Sequence, residues 1–590
     1  MSELTGTPTT HDLAFRASDF ATLTEALDYA ALGETGVNFY TGLGAIYASI
    51  SYRELREQSV ELAAKLLGLG AEKGDRVALV AETDPEFVRF FFACQYAGLI
   101  PVALPPSIKL GAHSLYVEQL RRLLEASSAT LAVAAEGYLH FLQEASDGLD
   151  MRMIAAPDAF HALTPSTEPL PTVSPDDIAY LQYTSGSTHF PRGVVIKHHT
   201  AMANLEDMVV DGLQITPNDR LASWLPYYHD MGLVGFVLLP MTAQLSVDYL
   251  DTRSFAMRPR QWLDLMTQTR ATISSAPSFG YDLCARRLRD ADIAKYDLSN
   301  WRFAGVGAEM IRPQTLDLFA EKLAGCGFDP RAFVACYGMA ECTLGVSFSP
   351  LGRGFTTHNA DADELADSQR VVLVDEHEQN GRGRHFVNCG RPLPSFEVEI
   401  RDENGDRLED WNSGVIHVRG PSVMSGYFNV AEEFGCPLSD DGWLDTGDIG
   451  YMADGTITIT GRKKDLIIIH GRNIWPQDLE HLAETLSEVR VGDALAFSAP
   501  APNGDEFCVL QVQCRDKDPV RRRNLERRLT AMVRMELSLD CYVELVPNRS
   551  LPKTSSGKLS RSKARASFIE AHDSDRLHEV VEEVRVRASA

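Results

Sequence analysis

Residues 183–194 read Tyr-Thr-Ser-Gly-Ser-Thr-His-Phe-Pro-Arg-Gly-Val and follow directly on an apolar segment, 178–181. A loop of small hydroxyl residues after a strand can wrap a polyphosphate, because glycine lets the backbone approach while hydroxyls and amides donate hydrogen bonds. The same composition also suits a plain turn. It is not a P-loop, and the one Gly-Lys pair beside a serine-rich stretch, Gly557-Lys558, is followed by Leu559 where a metal-binding Ser or Thr is required. Nor is Gly68-Leu69-Gly70 a dinucleotide fingerprint, since Lys73 stands where its third glycine belongs. His229 and Asp230 stand side by side like a catalytic pair, but no Ser or Cys nucleophile motif accompanies them and no His-Glu-x-x-His site exists. The ten cysteines include no Cys-x-x-Cys pair, which predicts reduced, mostly buried thiols rather than zinc or a redox dithiol.

An α/β layout has to position these groups. Between residues 20 and 105 helix and strand patterns alternate: 52–67 has apolar residues at helical spacing, 76–80 is a short strand, 85–98 a buried helix and 102–104 a strand. The pattern recurs through 130–134, 178–183 and on to about residue 350 with no fixed repeat period, predicting a large doubly wound α/β domain with a parallel sheet. Residues 355–388 are acidic and polar around one apolar run, 371–374, and on composition read as a solvated loop. After them 397–400 and 415–419 read as strands and 455–461 as a hairpin ending in a charged turn, placing a domain boundary near 464. Beyond it a helix over 476–486, strands over 494–498 and 509–513 and a helix over 521–537 make a compact α+β unit, and the last 20 residues a charged helical tail.

A chain of 590 residues, 44% hydrophobic and 23% charged, has ordinary globular usage, which excludes disorder, fibre and a single small binding module. With 56 Lys and Arg against 82 Asp and Glu, the net charge of −26 repels nucleic acid and anionic membrane. No basic start leads into an apolar core at the N-terminus, and the most apolar stretch, 90–106, is broken by Gln95 and Pro101. It falls short of the roughly 20 residues a spanning helix needs, so a cytoplasmic protein is expected.

Five motifs, in order, resemble the signature of the adenylate-forming superfamily of acyl-CoA synthetases, peptide-synthetase adenylation domains and luciferases. They are the 184–193 loop, Tyr337-Gly338-Met339-Ala340-Glu341, Thr446-Gly447-Asp448, Gly461-Arg462-Lys463-Lys464-Asp465, and the 552–558 segment Pro-Lys-Thr-Ser-Ser-Gly-Lys. Within that superfamily, 223–232 (Ser-Trp-Leu-Pro-Tyr-Tyr-His-Asp-Met-Gly), 276–284 and 471–478 most resemble fatty acyl-AMP ligases. Segment 355–388 looks like the insertion that separates those ligases from acyl-CoA synthetases, where it holds a mobile C-terminal domain away from a CoA-accepting pose. The resemblance thus implies a large α/β N-terminal adenylate-forming domain with several sheets, 1–463, and a small mobile α+β C-terminal domain, 464–590.

It also implies roles. Thr184, Ser185, Gly186, Ser187 and Thr188 cradle the phosphates of ATP, and Glu341 helps to hold Mg2+, with Thr184, Glu341 and Lys558 as the catalytic groups. Asp448 accepts from the ribose hydroxyls and Arg462 donates to the same sugar. Gly307, Ala308 and Glu309, with Tyr337, Gly338, Met339 and Ala340, frame the nucleotide. Lys558 swings in to bridge carboxylate and α-phosphate oxygens, and Lys464 is the hinge. His229, Asp230, Ser278 and Gly307 border the acyl substrate. Two positions depart from the family pattern: His189 replaces the second glycine of the phosphate loop and Arg192 the lysine before Gly193.

The implied reaction joins a fatty acid to ATP, giving fatty acyl-AMP and pyrophosphate, and then passes the acyl group to a separate acyl carrier protein. The alternatives are a long-chain acyl-CoA synthetase and a non-catalytic nucleotide-binding or regulatory relative; retention of Glu341, Asp448, Arg462 and Lys558 speaks against the latter. Arg521, Arg522, Arg523, Arg527, Arg528 and Arg534 crowd one predicted helix, a basic face for an acidic carrier or simply a solvated one.

Overall fold

The structure, a computed structural model, describes residues 13–106, 113–184, 191–375, 383–430, 436–469, 472–501, 506–537, 539–554, 558–572 and 576–580. Two large sheets, each made mainly of parallel strands, bear out the α/β layout with several sheets that the family resemblance implies. In a seven-stranded sheet, Arg76–Val80, Ile100–Leu104 and Ile178–Thr184 run parallel, and Arg192–Lys197 returns antiparallel to Ile178–Thr184. In a nine-stranded sheet, Leu221–Ser223, Ile273–Ala276, Phe303–Val306 and Phe333–Gly338 are parallel neighbours, with Gly345–Phe348 antiparallel to the last. Strands such as Ile100–Leu104, buried along their whole length, are continuous apolar runs because helices cover both faces.

Helix boundaries follow local chemistry. The Asp84 side chain accepts from the Phe87 amide, Pro85 opens the helix Pro85–Ala97, and Gly98 closes it at φ 65°. Ser51 and Glu54 form a capping box on the helix Tyr52–Gly68.

Strands Glu397–Arg401, Gly414–Arg419, Leu444–Ala453 and Thr456–Arg462 make a four-stranded antiparallel sheet. After it, strands Ala494–Pro500, Glu506–Gln513 and Cys541–Val546 with helices Pro476–Glu484 and Pro519–Leu537 enclose their own apolar cluster, which includes Leu479, Leu510, Leu529 and Val543. The larger cluster, from Phe20 to Ile457, belongs to the preceding elements. Eight of the ten cysteines are buried, Cys336 is half-buried and Cys436 is exposed.

The segment 355–388 is not a solvated loop. Strands Thr357–Asp361 and Gly383–Val387 pair antiparallel, and between them Asp361 caps the helix Ala362–Ser368 by accepting from the amides of Asp363 and Glu364. Ala360, Leu365, Val371 and Phe386 form a cluster with Tyr451, Ala453 and Trp475. Of the apolar run 371–374, Val371 alone is buried, while Val372 and Leu373 are 41% and 51% exposed. Residues 376–382 of the segment lie outside the described residues. No helix among the described residues is long and apolar enough to cross a membrane.

Candidate active site

A cavity of about 1640 Å³ opens where the parallel strands end, with Thr184, Val306 and Gly338 at its rim. Ligands of open α/β sheets bind outside the carboxyl ends of the strands. Thr184, His229, Asp230, Ser278, Gly307, Ala308, Glu309, Tyr337, Gly338, Met339, Ala340, Glu341, Asp448, Arg462, Lys464 and Lys558 all line it. Ser185, Gly186, Ser187, Thr188 and His189 lie outside the described residues.

On one side the hairpin of Leu444–Ala453 and Thr456–Arg462 sets Asp448 opposite Arg462. Arg462 Nε lies 3.0 Å from Asp448 Oδ1, and the Tyr337 hydroxyl donates to Asp448 Oδ2 at 3.0 Å. The carboxylate is thereby fixed at both oxygens yet keeps lone pairs for further donors.

Beyond Gly338 the chain turns sharply. A Cβ there would lie 1.9 Å from the Leu344 carbonyl oxygen, so only glycine fits. A 3-10 turn, Ala340–Cys342, ends at Thr343, held at φ 68°, ψ −61°, where the Leu344 amide donates to the Cys342 carbonyl at 2.8 Å. This is the rare γ-turn of strained sign, a conformation that accumulates at functional sites. It presents Glu341, whose Oε1 accepts from the Tyr427 hydroxyl at 2.8 Å. Arg192, in turn, sits over the Tyr427 ring, 5.3 Å from its centre. Burial pushes the Glu341 carboxyl upward against the Tyr427 hydrogen bond. Among the described residues no three His, Cys, Asp or Glu side chains converge as a metal site. The half-buried Glu341 carboxylate lines the cavity and suits an ion that takes one carboxylate, phosphate oxygens and water, as Mg2+ does.

Opposite stand the charged groups around Lys558. Lys558 is half-buried and lines the cavity with Glu309 and Asp230; desolvation lowers its pKa and the charges of the two carboxylates pull it back up. Glu309 follows Ala308, held at φ 65°, and Gly307, where a Cβ would meet the Cys336 carbonyl oxygen at 2.6 Å. The Glu309 side chain turns toward the helix Ser278–Arg287, accepting from the Phe279 amide at 2.9 Å. Burial raises its carboxyl, opposed by that amide and by Lys558. His229 Nδ1 lies 2.5 Å from Asp230 Oδ1. Burial opposes charge on Asp230, but His229 and Lys558 hold its carboxyl below the usual range.

Two ion pairs carry the elements after Lys464 onto those before it. Arg384, from the segment 355–388, reaches Asp478 at 2.9 Å and lies over the rings of Phe386 and Trp475. Arg312 reaches Glu484 at 2.9 Å. Both acids sit on the helix Pro476–Glu484, which is clamped near each end. Neither pair, nor Tyr427, was legible in the sequence, where nothing but the motif around Trp475 pointed this way.

The arginine helix is more divided than its sequence suggests. Arg522 donates to the carbonyls of Leu545 and Asp516, at 2.8 and 3.3 Å, and so serves the fold. Arg521, Arg528 and Arg534 pair with Asp516, Glu488 and Asp540. Arg523 and Arg527 are exposed.

The chain matches the AMP-binding enzyme family over residues 31–428. It is 46% identical, over 96% of its length and 99% of the relative's, to a Caulobacter vibrioides protein that carries the provisional name acyl-CoA synthetase. It is 30% identical, over 94% of its length and 96% of the relative's, to the medium-chain-fatty-acid–[acyl-carrier-protein] ligase JamA of Moorena producens. A solved structure from a study of fatty acyl-adenylate ligases of E. coli and L. pneumophila superimposes with a TM-score of 0.90 at 44% identity, covering 95% of this chain and 99% of that one.

Proposed function

We propose, for a chain that belongs to the AMP-binding enzyme family, an ATP-dependent fatty acid adenylation followed by acyl transfer to a separate acyl carrier protein. The observation that carries this reading is Lys558, half-buried in the charge field of Asp230 and Glu309 and lining the same cavity as His229, Glu341 and Asp448. A carboxylate approaching a polyphosphate needs its own charge and the phosphate charge offset by fixed donors and cations. The compact ammonium of Lys558 meets that need between the fatty acid carboxylate and the α-phosphate. A fatty acid oxygen bonds to the α-phosphorus, the bond to the bridging oxygen breaks, and pyrophosphate leaves with the electron pair. The resulting acyl-AMP is attacked by a thiol of the carrier, and AMP departs.

In this reading Asp448 and Arg462 hold the ribose, Gly307 to Glu309 and Tyr337 to Ala340 frame the adenine, and Thr184 with Ser185, Gly186, Ser187 and Thr188 receives the phosphates. His229, Asp230 and Ser278 border the acyl carboxylate. Mg2+ bound at Glu341 would neutralise phosphate charge. We place the domain boundary at Lys464, between 1–463 and 464–590, supported by separate apolar clusters on its two sides. The carrier is supported by the name of JamA, and the docking face is assigned to the exposed part of the Pro519–Leu537 helix around Arg523 and Arg527. A reaction consuming ATP, in a chain of free cysteines, belongs in the cytoplasm.

The name of the Caulobacter vibrioides relative favours a second reading, an acyl-CoA synthetase with the same first half-reaction. The Arg384–Asp478 pair weighs against it, because it holds the small domain in one pose. Adenylation is tested by pyrophosphate release from Mg2+-ATP across a panel of fatty acids. Release with acyl-AMP in the products supports it; no release with any acid leaves a non-catalytic nucleotide-binding protein.

A further inference from the structure

Part of the cavity, its apolar branch, is lined by side chains that carry no charge. Met208, Leu213, Phe236, Leu239, Phe303 and Phe348 line it. Two of its sides are π-turns, Met208–Gly212 and Val234–Leu238, local widenings of a helix that recur at functional sites. The strand Gly345–Phe348 runs back antiparallel to Phe333–Gly338, so Gly345 stands opposite Gly338 near Glu341 while Phe348 stands opposite Cys336, farther in.

The Phe348 ring lies in a seat made for it. A Cβ on Gly345 would fall 2.8 Å from Phe348 Cε2, and one on Gly212 would fall 3.1 Å from Cδ2. Neither residue can carry a side chain while the ring stays where it is. Gly345 is itself fixed: the side-chain amide of buried Asn204 donates to its carbonyl at 2.8 Å and accepts from its amide at 3.1 Å. Phe303 faces the ring, with centroids 6.4 Å apart, and Met208 Sδ closes the gap beside Gly345. Gly212 therefore stands close against the ring. A flat apolar wall, half-exposed and lining the cavity, fits the methyl end of an alkyl chain whose carboxylate sits beside Lys558.

We propose that the Phe348 ring, seated on Gly212 and Gly345, is the end stop of the acyl channel and sets the longest fatty acid that the enzyme adenylates. This rests on the reading of the cavity as a fatty acid adenylation site. The experiment measures kcat/KM for pyrophosphate release by the full chain with saturated acids lengthened two carbons at a time, for wild type, Phe348→Leu and Phe348→Ala. The leucine variant keeps much of the volume and guards against a folding defect in the alanine variant.

Pocket discrimination runs to about tenfold or more per methylene. The first acid that wild type rejects should therefore gain on the order of tenfold or more in kcat/KM in Phe348→Ala and less in Phe348→Leu. Shorter acids and the KM for ATP should change by no more than a few fold. A Gly235→Ala variant moves the limit the other way, since its new Cβ meets Leu344 Cδ2 at 3.3 Å and narrows the branch. An unchanged length limit in the active variants overturns the assignment of Phe348 while leaving adenylation intact. If wild type releases no pyrophosphate with any acid, the reading of the site falls, and this inference with it.

Discussion

In the proposed reaction Lys558 is the residue on which the chemistry turns, a half-buried cation in the cavity that feels the charges of two carboxylates. Removing a group that stabilises charge in the transition state costs on the order of 10²- to 10³-fold in rate. Lys558→Ala should therefore slow acyl-AMP formation by that amount, read as pyrophosphate release, while transfer from preformed acyl-AMP is less affected; equal loss in both contradicts the role. The working form is the protonated ammonium, and burial sets its pKa below the usual lysine value. Activity then falls as pH rises through that lowered value. Glu309 opposes the lowering, so Glu309→Gln should move the alkaline limb of kcat/KM to lower pH, and an unmoved limb in a pH profile counts against the coupling. The motif residues were legible because the family spacing keeps them in order along the chain. The inward turn of Glu309 and the Tyr427 hydrogen bond to Glu341 were not, since the latter joins positions 86 residues apart.

At the scale of elements, the proposed function gives the helix Pro476–Glu484 the role of setting which acceptor the site admits. Its Asp478 is held by Arg384 and its Glu484 by Arg312. Deleting 355–388 outright would strip the cover from Tyr451 and Trp475, so the sharper variant is Arg384→Ala. It loosens one clamp, and we expect CoA thioester formation to rise on the order of tenfold while pyrophosphate release stays within a few fold. Product analysis with CoA as acceptor checks this; unchanged rejection of CoA in the folded variant removes the clamp from the account. Helix caps such as Ser51 with Glu54, and Asp84 with Pro85 and Gly98, could be read from local sequence because each satisfies backbone groups within a turn. The hairpin at 357–387 could not. Its apolar residues are few and widely spaced, and their partners Tyr451 and Trp475 lie far along the chain.

The whole molecule carries a net charge of −26, so an acidic carrier must meet a local basic surface to dock. Arg522 donates to carbonyls of the fold, while Arg523 and Arg527 are exposed, as are the ion-paired Arg521 and Arg528. Reversing both to glutamate should slow acyl transfer and weaken its salt dependence while leaving pyrophosphate release unchanged. Transfer at the wild-type rate over a range of carrier concentrations would move the docking site elsewhere. The most direct test of the central claim is mass spectrometry of the products from Mg2+-ATP and a fatty acid panel, with candidate phosphopantetheinylated carrier proteins and CoA offered side by side. The account predicts fatty acyl-AMP, pyrophosphate and a loaded carrier, with CoA left largely free. Rapid acyl-CoA formation with every carrier unloaded would contradict it.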